Sequence, residues 1–213
     1  MADMQTENEN LPKSLRILCF GDSLTAGYTK DGYEHYPYAD HLRTSLEHML
    51  SSPDIEVEVA GLSGDQVQGN YLRRIKAKCP IARERRYDWV IIMGGTNDLG
   101  WGQPPERIYE GLKPVWKAAL DTGANVLALN VLEVAASSSR AIDMRNSLNT
   151  MIKNHRENRF AIPYKTLDRT KREEIWDDGL HLTGKGYKLM GDVIAVRLFE
   201  ILKDEHQATA AIS

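Results

Sequence analysis

Short apolar segments alternate with amphipathic segments along the chain, and this alternation constrains the fold more than any other feature. Apolar runs typical of buried strands cover Leu15–Phe20, Ile55–Val59, Trp89–Met93, Val126–Val131 and Phe160–Pro163. Between these runs, apolar residues recur at helical spacing. A strand, a helix and a further strand form the repeating unit of a parallel sheet covered by helices. The sequence therefore predicts an α/β fold.

Helix boundaries and the two cysteines refine this prediction. Ser137–Ser139 are typical of a helix N-terminus and predict a helix over residues 140–157. Thr183 predicts the cap of the last helix. Cys19 and Cys79 are too few to form a disulfide framework, so we interpret both as small buried hydrophobes.

Length and charge indicate one globular domain. We expect residues 1–13 to form a disordered arm, residues 14–205 a single domain and residues 206–213 a flexible tail. The net charge of -3, with both signs interspersed, excludes a basic face for nucleic acid. No run reaches transmembrane length, and the polar N-terminus lacks the apolar core of a signal peptide, so the expected location is cytoplasmic.

Polar turns follow three of the predicted strands. They are Gly21-Asp22-Ser23, Ser63-Gly64-Asp65 and Gly95-Thr96-Asn97-Asp98. The carboxyl ends of parallel strands meet at one edge of a sheet, so these turns should lie together. A fourth turn, Asp178-Gly179-Leu180-His181, precedes the last helix, and its connection can return to the same edge.

Together these turns contain the groups that acyl transfer needs. Ser23 offers a nucleophilic hydroxyl, His181 can take its proton, and Asp178 can orient the imidazole. The N–H groups of Ser23 and Gly64 and the side-chain amide of Asn97 are suitable donors to an oxyanion. Gly64 is predicted to allow a close approach because it has no Cβ.

The other acids of these turns have a simpler interpretation. Asp22, Asp65 and Asp98 are expected to hydrogen-bond turn backbones rather than take part in the chemistry. Asp177 is an alternative orienting residue, although the spacing to His181 favours Asp178. No set of His, Cys, Asp and Glu has convincing spacing for a metal, so no metal is predicted.

The four turns resemble the sequence blocks of the SGNH/GDSL hydrolase superfamily. FGDSLTAGY is similar to its first block, VAGLSGDQV to the second, GGTND to the third and DGLH to the last, in the family's order. The resemblance implies a three-layer, flavodoxin-like α/β/α sandwich with a five-stranded parallel sheet. It also implies a catalytic triad of Ser23, Asp178 and His181, and an oxyanion hole made by Ser23, Gly64 and Asn97. Hydrolysis of esters or thioesters without a metal or cofactor is the implied activity.

The sequence indicates the type of reaction more closely than it indicates the substrate. Tyr28, Trp101 and Leu132 are candidate lining residues of a substrate pocket. Many relatives carry a proline-rich loop after the fourth strand, whereas this chain has Leu132–Ser137 there. We expect a small or medium acyl ester as substrate; a carbohydrate acetyl ester, a thioester and a lysophospholipid are the alternatives. The oligomeric state is not determined by the sequence.

Two other classes of protein fit the sequence less well than an esterase. A flavodoxin-like module would use its first turn to bind a flavin phosphate, but this leaves His181 without a role. A glycosidase needs two paired carboxylates, and the acids of this chain show no obvious pairing. The sequence therefore favours a serine esterase.

Overall fold

A central sheet of parallel strands organises the molecule. The computed structural model describes residues 11–51, 54–82, 86–134, 138–155, 160–162 and 172–210. The strands of the sheet are β1 (Ser14–Gly21), β2 (Asp54–Gly61), β3 (Trp89–Ile92), β4 (Asn125–Leu129) and β5 (Phe160–Ile162). Four longer strands form its body, and the three-residue β5 pairs at the edge beside β4.

The order of the strands is that of a doubly wound sheet. Across the sheet they run β2, β1, β3, β4, β5, and every neighbouring pair is parallel. This 2-1-3-4-5 order is one of the two common orders of open α/β folds, with the binding crevice at the carboxyl ends of the strands beside β1 and β3. The predicted α/β/α class with a parallel sheet is confirmed.

Helices cover both faces of the sheet. They are α1 (Ser23–Ala26), α2 (Tyr38–Met49), α3 (Leu72–Lys78), α4 (Thr96–Gly100), α5 (Pro105–Leu120), α6 (Ser139–Lys153), α7 (Arg172–Ile175) and α8 (Gly184–Ala210). A π-helical turn, Val67–Tyr71, leads into α3, and a short antiparallel hairpin pairs Tyr28–Thr29 with Glu34–His35 after α1.

Alternation along β1 creates the three layers. Successive side chains of a strand point to opposite faces, so Ile17 and Cys19 pack with α2 and α8, whereas Leu18 and Phe20 pack with α3 and α5. The sheet therefore separates two hydrophobic cores. Cys79 is buried in the second of these, as predicted, and burial raises the pKa of the Cys19 thiol to about 12.

Most strand boundaries shift by one or two residues from the prediction, and at two elements a side-chain contact accounts for an earlier end. Strand β4 ends at Leu129 rather than Val131, since the Asn149 side chain bonds both the N–H (2.8 Å) and the C=O (3.0 Å) of Val131. Helix α6 ends at Lys153 rather than residue 157. Beyond it, the ring of His155 packs 4.8 Å from Trp116 and so leaves the helical path.

Two described segments differ from the predicted arm and tail. Leu11 lies within the predicted arm, but its side chain is buried in the core with α2 and α8, because a leucine gains from burial. Helix α8 continues to Ala210, well into the predicted tail, and the alanines there are strong helix formers. Residues 1–10 and 211–213 lie outside the described residues. Of the described helices, none is long and apolar enough to cross a membrane.

Candidate active site

Ser23 lies where β1 gives way to α1 at the carboxyl edge of the sheet. Gly21 ends the strand, and a Cβ at Gly21 would overlap the Thr25 side chain and lie 2.8 Å from the Met93 carbonyl oxygen. The turn is therefore too tightly packed for any other residue. Asp22 caps α1, whose first residue is Ser23, so the Ser23 N–H belongs to the unpaired donors at a helix N-terminus.

The structure brings together Ser23, His181 and Asp178, which are far apart in the sequence. His181 Nε2 lies 3.0 Å from Ser23 Oγ, and His181 Nδ1 lies 2.7 Å from Asp178 Oδ2. Asp178 Oδ1 also accepts the N–H groups of Leu180 (2.9 Å) and His181 (2.7 Å), which fixes the loop around the imidazole. The three side chains form a continuous line from carboxylate to hydroxyl.

The charge of Asp178 sets the tautomer of His181. Partial burial acts to raise the pKa of the Asp178 carboxyl, but hydrogen bonds from the His181 ring and from two backbone N–H groups outweigh it and hold the pKa below its ordinary value. A carboxylate can only accept, so the ring proton lies on Nδ1. The lone pair of Nε2 then faces the Ser23 hydroxyl.

Asp177, the alternative orienting residue, has a different role. Its Oδ2 accepts the backbone N–H of Lys30 at 2.6 Å, and its own N–H donates to the His181 carbonyl at 2.9 Å. These bonds join the histidine loop to the hairpin after α1. The geometry therefore favours Asp178 as the partner of the imidazole.

The predicted oxyanion donors occupy the turns after β2 and β3. One N–H of the Asn97 side-chain amide donates to the Asp65 carbonyl at 2.9 Å, which orients the amide and leaves its second N–H for another acceptor. Gly64 has φ of +76°, which side chains rarely tolerate, but a Cβ there would meet no atom within 4 Å. The positive φ is by itself a reason for glycine at this position, and the close approach of its N–H to an oxyanion stays a prediction.

The acids beside these residues bind turn backbones, as predicted. Asp22 Oδ1 accepts the Leu24 N–H at 3.1 Å, and Asp98 accepts the N–H groups of Val67 (2.9 Å) and Gln68 (3.1 Å). Asp22 is fully buried, and this burial raises the pKa of its carboxyl to about 7. These acids hold the strand-end turns together rather than face a substrate.

Arg74 connects two strand ends through its hydrogen bonds, a role that the sequence did not indicate. Its guanidinium bonds the Asp65 carboxylate at 2.7 Å, the Gly21 carbonyl at 3.1 Å and the Ala60 carbonyl at 2.6 Å. It also lies 4.7 Å from the centre of the Phe20 ring. One side chain thus joins the ends of β1 and β2 to the turn of Gly64. In the sequence Arg74 is an ordinary polar residue of a helix, and no motif marks it.

A cavity of about 650 Å³ opens beside the triad. Asn97 and Asp178 line it, together with Trp101 and Leu132, two of the three predicted pocket residues. Leu132 is buried, whereas the Trp101 side chain is 76% exposed at the cavity surface. Two arginines of α6, Arg140 and Arg145, also line it; sequence patterns gave no reason to place them there.

Tyr28, the third predicted pocket residue, does not line this cavity. Its ring centre lies 4.5 Å from that of the His181 imidazole, and its carbonyl accepts the Tyr187 hydroxyl at 2.7 Å. Tyr28 therefore packs against the candidate base. Within the parts of the chain that the structure describes, no three His, Cys, Asp or Glu side chains are grouped to hold a metal ion.

The chain belongs to the GDSL-like lipase/acylhydrolase family, whose model matches residues 19–189. It is 29% identical over 191 residues to an arylesterase of Vibrio mimicus, covering 89% of this chain and 90% of the relative. The protein is therefore a hydrolase that acts on ester bonds.

Solved structures share the fold. A lipase/acylhydrolase from Enterococcus faecalis superposes with a TM-score of 0.69 at 22% identity, over 87% of this chain and 96% of its own. The psychrotrophic esterase EstA from Pseudoalteromonas sp. superposes with a TM-score of 0.68 at 21% identity, over 88% of this chain and 98% of its own. At such identities the likeness concerns the fold alone.

Proposed function

We propose that this protein is a serine esterase that hydrolyses small or medium acyl esters through an acyl-enzyme on Ser23. The observation that carries the proposal is the pair of hydrogen bonds from Asp178 through His181 to Ser23, at 2.7 and 3.0 Å. A hydroxyl becomes a useful nucleophile when an oriented base can take its proton.

Acylation follows from this arrangement. Ser23 Oγ attacks the ester carbonyl carbon while its proton passes to His181 Nε2, and Asp178 stabilises the imidazolium. The carbonyl oxygen becomes an oxyanion, which accepts hydrogen bonds from the N–H groups of Ser23 and Gly64 and from the Asn97 amide. When the tetrahedral intermediate collapses, the ester C–O bond breaks and His181 returns the proton to the leaving alcohol.

Deacylation repeats these steps with water. His181 takes a proton from water as the water oxygen attacks the acyl-enzyme, and the acid is released when Ser23 Oγ regains a proton. Neither acylation nor deacylation, as written here, needs a metal or a redox cofactor. The cavity of about 650 Å³ is in the range of small-molecule sites and supports an acyl or alcohol group of modest size.

Labelling of Ser23 tests the proposal directly. The EstA relative is described as inhibited by monoethylphosphonate, and we expect an organophosphonate to add one adduct here, at Ser23, with complete loss of para-nitrophenyl butyrate hydrolysis. Ser23→Ala should lower kcat by about 10⁴-fold or more. Ser63→Ala, an exposed serine on a neighbouring turn, is the matched control and should keep wild-type activity. Full activity in Ser23→Ala, or an adduct on another residue, refutes the proposal.

A further inference from the structure

The described lining of the cavity beside the triad includes two guanidiniums, which the hydrolysis of a neutral ester does not require. Its walls are largely apolar, through Leu99, Trp101, Val131, Leu132, Ile142 and Met144. The ionisable side chains among its described lining residues are Arg140, Arg145 and Asp178. Asp178 keeps its negative charge at the catalytic end, where it is bonded to His181 Nδ1, and the two guanidiniums carry the positive charge on the α6 side of the cavity.

The two arginines differ in how far they are neutralised. Arg145 is mostly buried, and its Nη2 lies 3.2 Å from Glu133 Oε1, so its charge is balanced in part. Arg140 is exposed, and among the described residues no carboxylate lies within ion-pair distance of it. Arg140 is therefore the available cation of the cavity, with Arg145 adding to the local positive potential.

Groups of two kinds line this cavity, and they define the two ends of a substrate bound in it. Asn97 and Asp178 mark the catalytic end, where the ester carbonyl must lie if the proposed function holds. Arg140 and Arg145 lie on the first two turns of α6. A group that starts at the ester and follows the apolar walls can therefore present its far end to a guanidinium. Guanidinium groups bind carboxylates in a favourable forked geometry.

We propose that the cavity selects esters whose far end carries a carboxylate, with Arg140 as the specificity-determining contact. This inference rests on the proposed esterase function. Both the acyl part and the alcohol part of an ester can carry such a carboxylate, and the experiment below has one arm for each. Since Arg140 is exposed, its ion pair with a substrate is partly screened, and the expected preference is modest.

The test compares charged and neutral esters of matched length. The acyl arm uses mono-para-nitrophenyl adipate against para-nitrophenyl hexanoate, with spontaneous hydrolysis subtracted. The alcohol arm uses 3-(4-acetoxyphenyl)propanoate against 4-propylphenyl acetate. For each pair the measured quantity is the ratio of kcat/KM for the charged ester to that for the neutral one, because this ratio cancels differences in the fraction of active protein.

We expect the ratio in at least one arm to fall about fivefold in Arg140→Gln, the size of one exposed ion pair, and further in Arg140→Glu. Arg140→Lys should retain most of the preference. In the wild type, the ratio should decrease as salt is added. Arg43→Gln, which removes an exposed arginine from α2 and not from the cavity, is the matched control and should leave both ratios unchanged.

The outcomes separate this inference from the proposed function. If neutral esters are hydrolysed with dependence on Ser23 but Arg140→Gln leaves both ratios unchanged, the carboxylate selectivity is wrong and the esterase stands. If Ser23→Ala hydrolyses the neutral esters as well as the wild type does, the proposed function itself fails. A ratio that falls equally in Arg43→Gln also overturns the assignment, because net charge alone would then explain it.

Discussion

The two halves of the candidate site are held in place in different ways. Ser23, Gly64 and Asn97 follow strands of the sheet, and the acids beside them are buried: Asp22 and Asp98 are 0% exposed. Asp178 and His181 lie on a loop outside the sheet, and the Asp178 side chain is 41% exposed. The proposed nucleophile and oxyanion donors thus lie on turns that buried acids hold in place, whereas the proposed base lies on a loop at the surface.

This difference predicts different consequences of mutation. Changes near the strand ends should reduce stability together with activity, because they leave buried polar groups without partners. Changes in the histidine loop should reduce activity while the free energy of unfolding stays nearly constant, because exposed hydrogen bonds and ion pairs contribute little to it. The following variants test this contrast, from the largest expected effect to the smallest.

Asp178→Asn should lower kcat by about 10⁴-fold, because the neutral amide no longer enforces the Nδ1–H tautomer or stabilises the imidazolium. Urea unfolding should show a loss of less than about 1 kcal/mol, since the side chain is 41% exposed and its bonds compete with water. Asp177→Asn is the matched control. Its side-chain oxygen can still accept the Lys30 N–H, so kcat should change by less than about tenfold. Equal losses of kcat in both variants would mean that activity depends on the conformation of the loop and not on the carboxylate of Asp178.

Arg74→Met should lower the free energy of unfolding by about 3–5 kcal/mol, because it leaves the buried Asp65 carboxylate without its cation. Urea denaturation measures this loss. Combining the change with Asp65→Asn removes the unpaired charge and should restore part of the stability. A single variant that unfolds like the wild type would show that the strand-end turns do not depend on this ion pair.

Asn97→Ala should lower kcat by about 10²–10³-fold with little change in KM, the expected effect of losing one oxyanion donor. The amide should bind the oxyanion of the transition state more strongly than it binds the carbonyl oxygen of the ground state. Its removal should therefore lower kcat rather than raise KM. Steady-state kinetics on para-nitrophenyl butyrate provide the measurement. An increase in KM at constant kcat would instead identify Asn97 as a substrate-binding residue.

Over one pH unit, Asp22 should produce the smallest of these changes in free energy, a pH dependence of stability. Its pKa is raised from 3.8 to about 7 by burial, so between these values the folded protein holds a proton that the unfolded chain has lost. The free energy of unfolding should therefore fall as pH rises through this window, by up to about 1.4 kcal/mol per pH unit. Asp22→Asn should flatten the slope relative to the wild type. Identical slopes in the two proteins would contradict a raised pKa at this carboxyl.

The sequence by itself determined the local elements and the chemistry of the turns. The apolar runs gave the strands because a buried strand needs little more than a short apolar segment between turn residues. The resemblance of the four blocks to the SGNH/GDSL superfamily identified the family, and the family match confirms it. The interpretation of Asp22, Asp65 and Asp98 as backbone acceptors is correct. Asp22 and Asp65 accept N–H groups within five residues, which follows from residue type. Asp98 accepts N–H groups of a different turn, Val67 and Gln68, and that choice of partner depends on the tertiary structure.

Only the tertiary structure decided contacts between distant segments. Arg74 bonds the ends of two strands, Asn149 ends β4, and Tyr28 packs on His181 rather than lining the cavity. Arg140 and Arg145 likewise line the cavity only because the fold places α6 and the Asp178 loop around the same space. Each of these contacts depends on how the elements are arranged in space. The periodicity of side chains along one segment shows which face is buried, but it does not identify the segment that packs against that face.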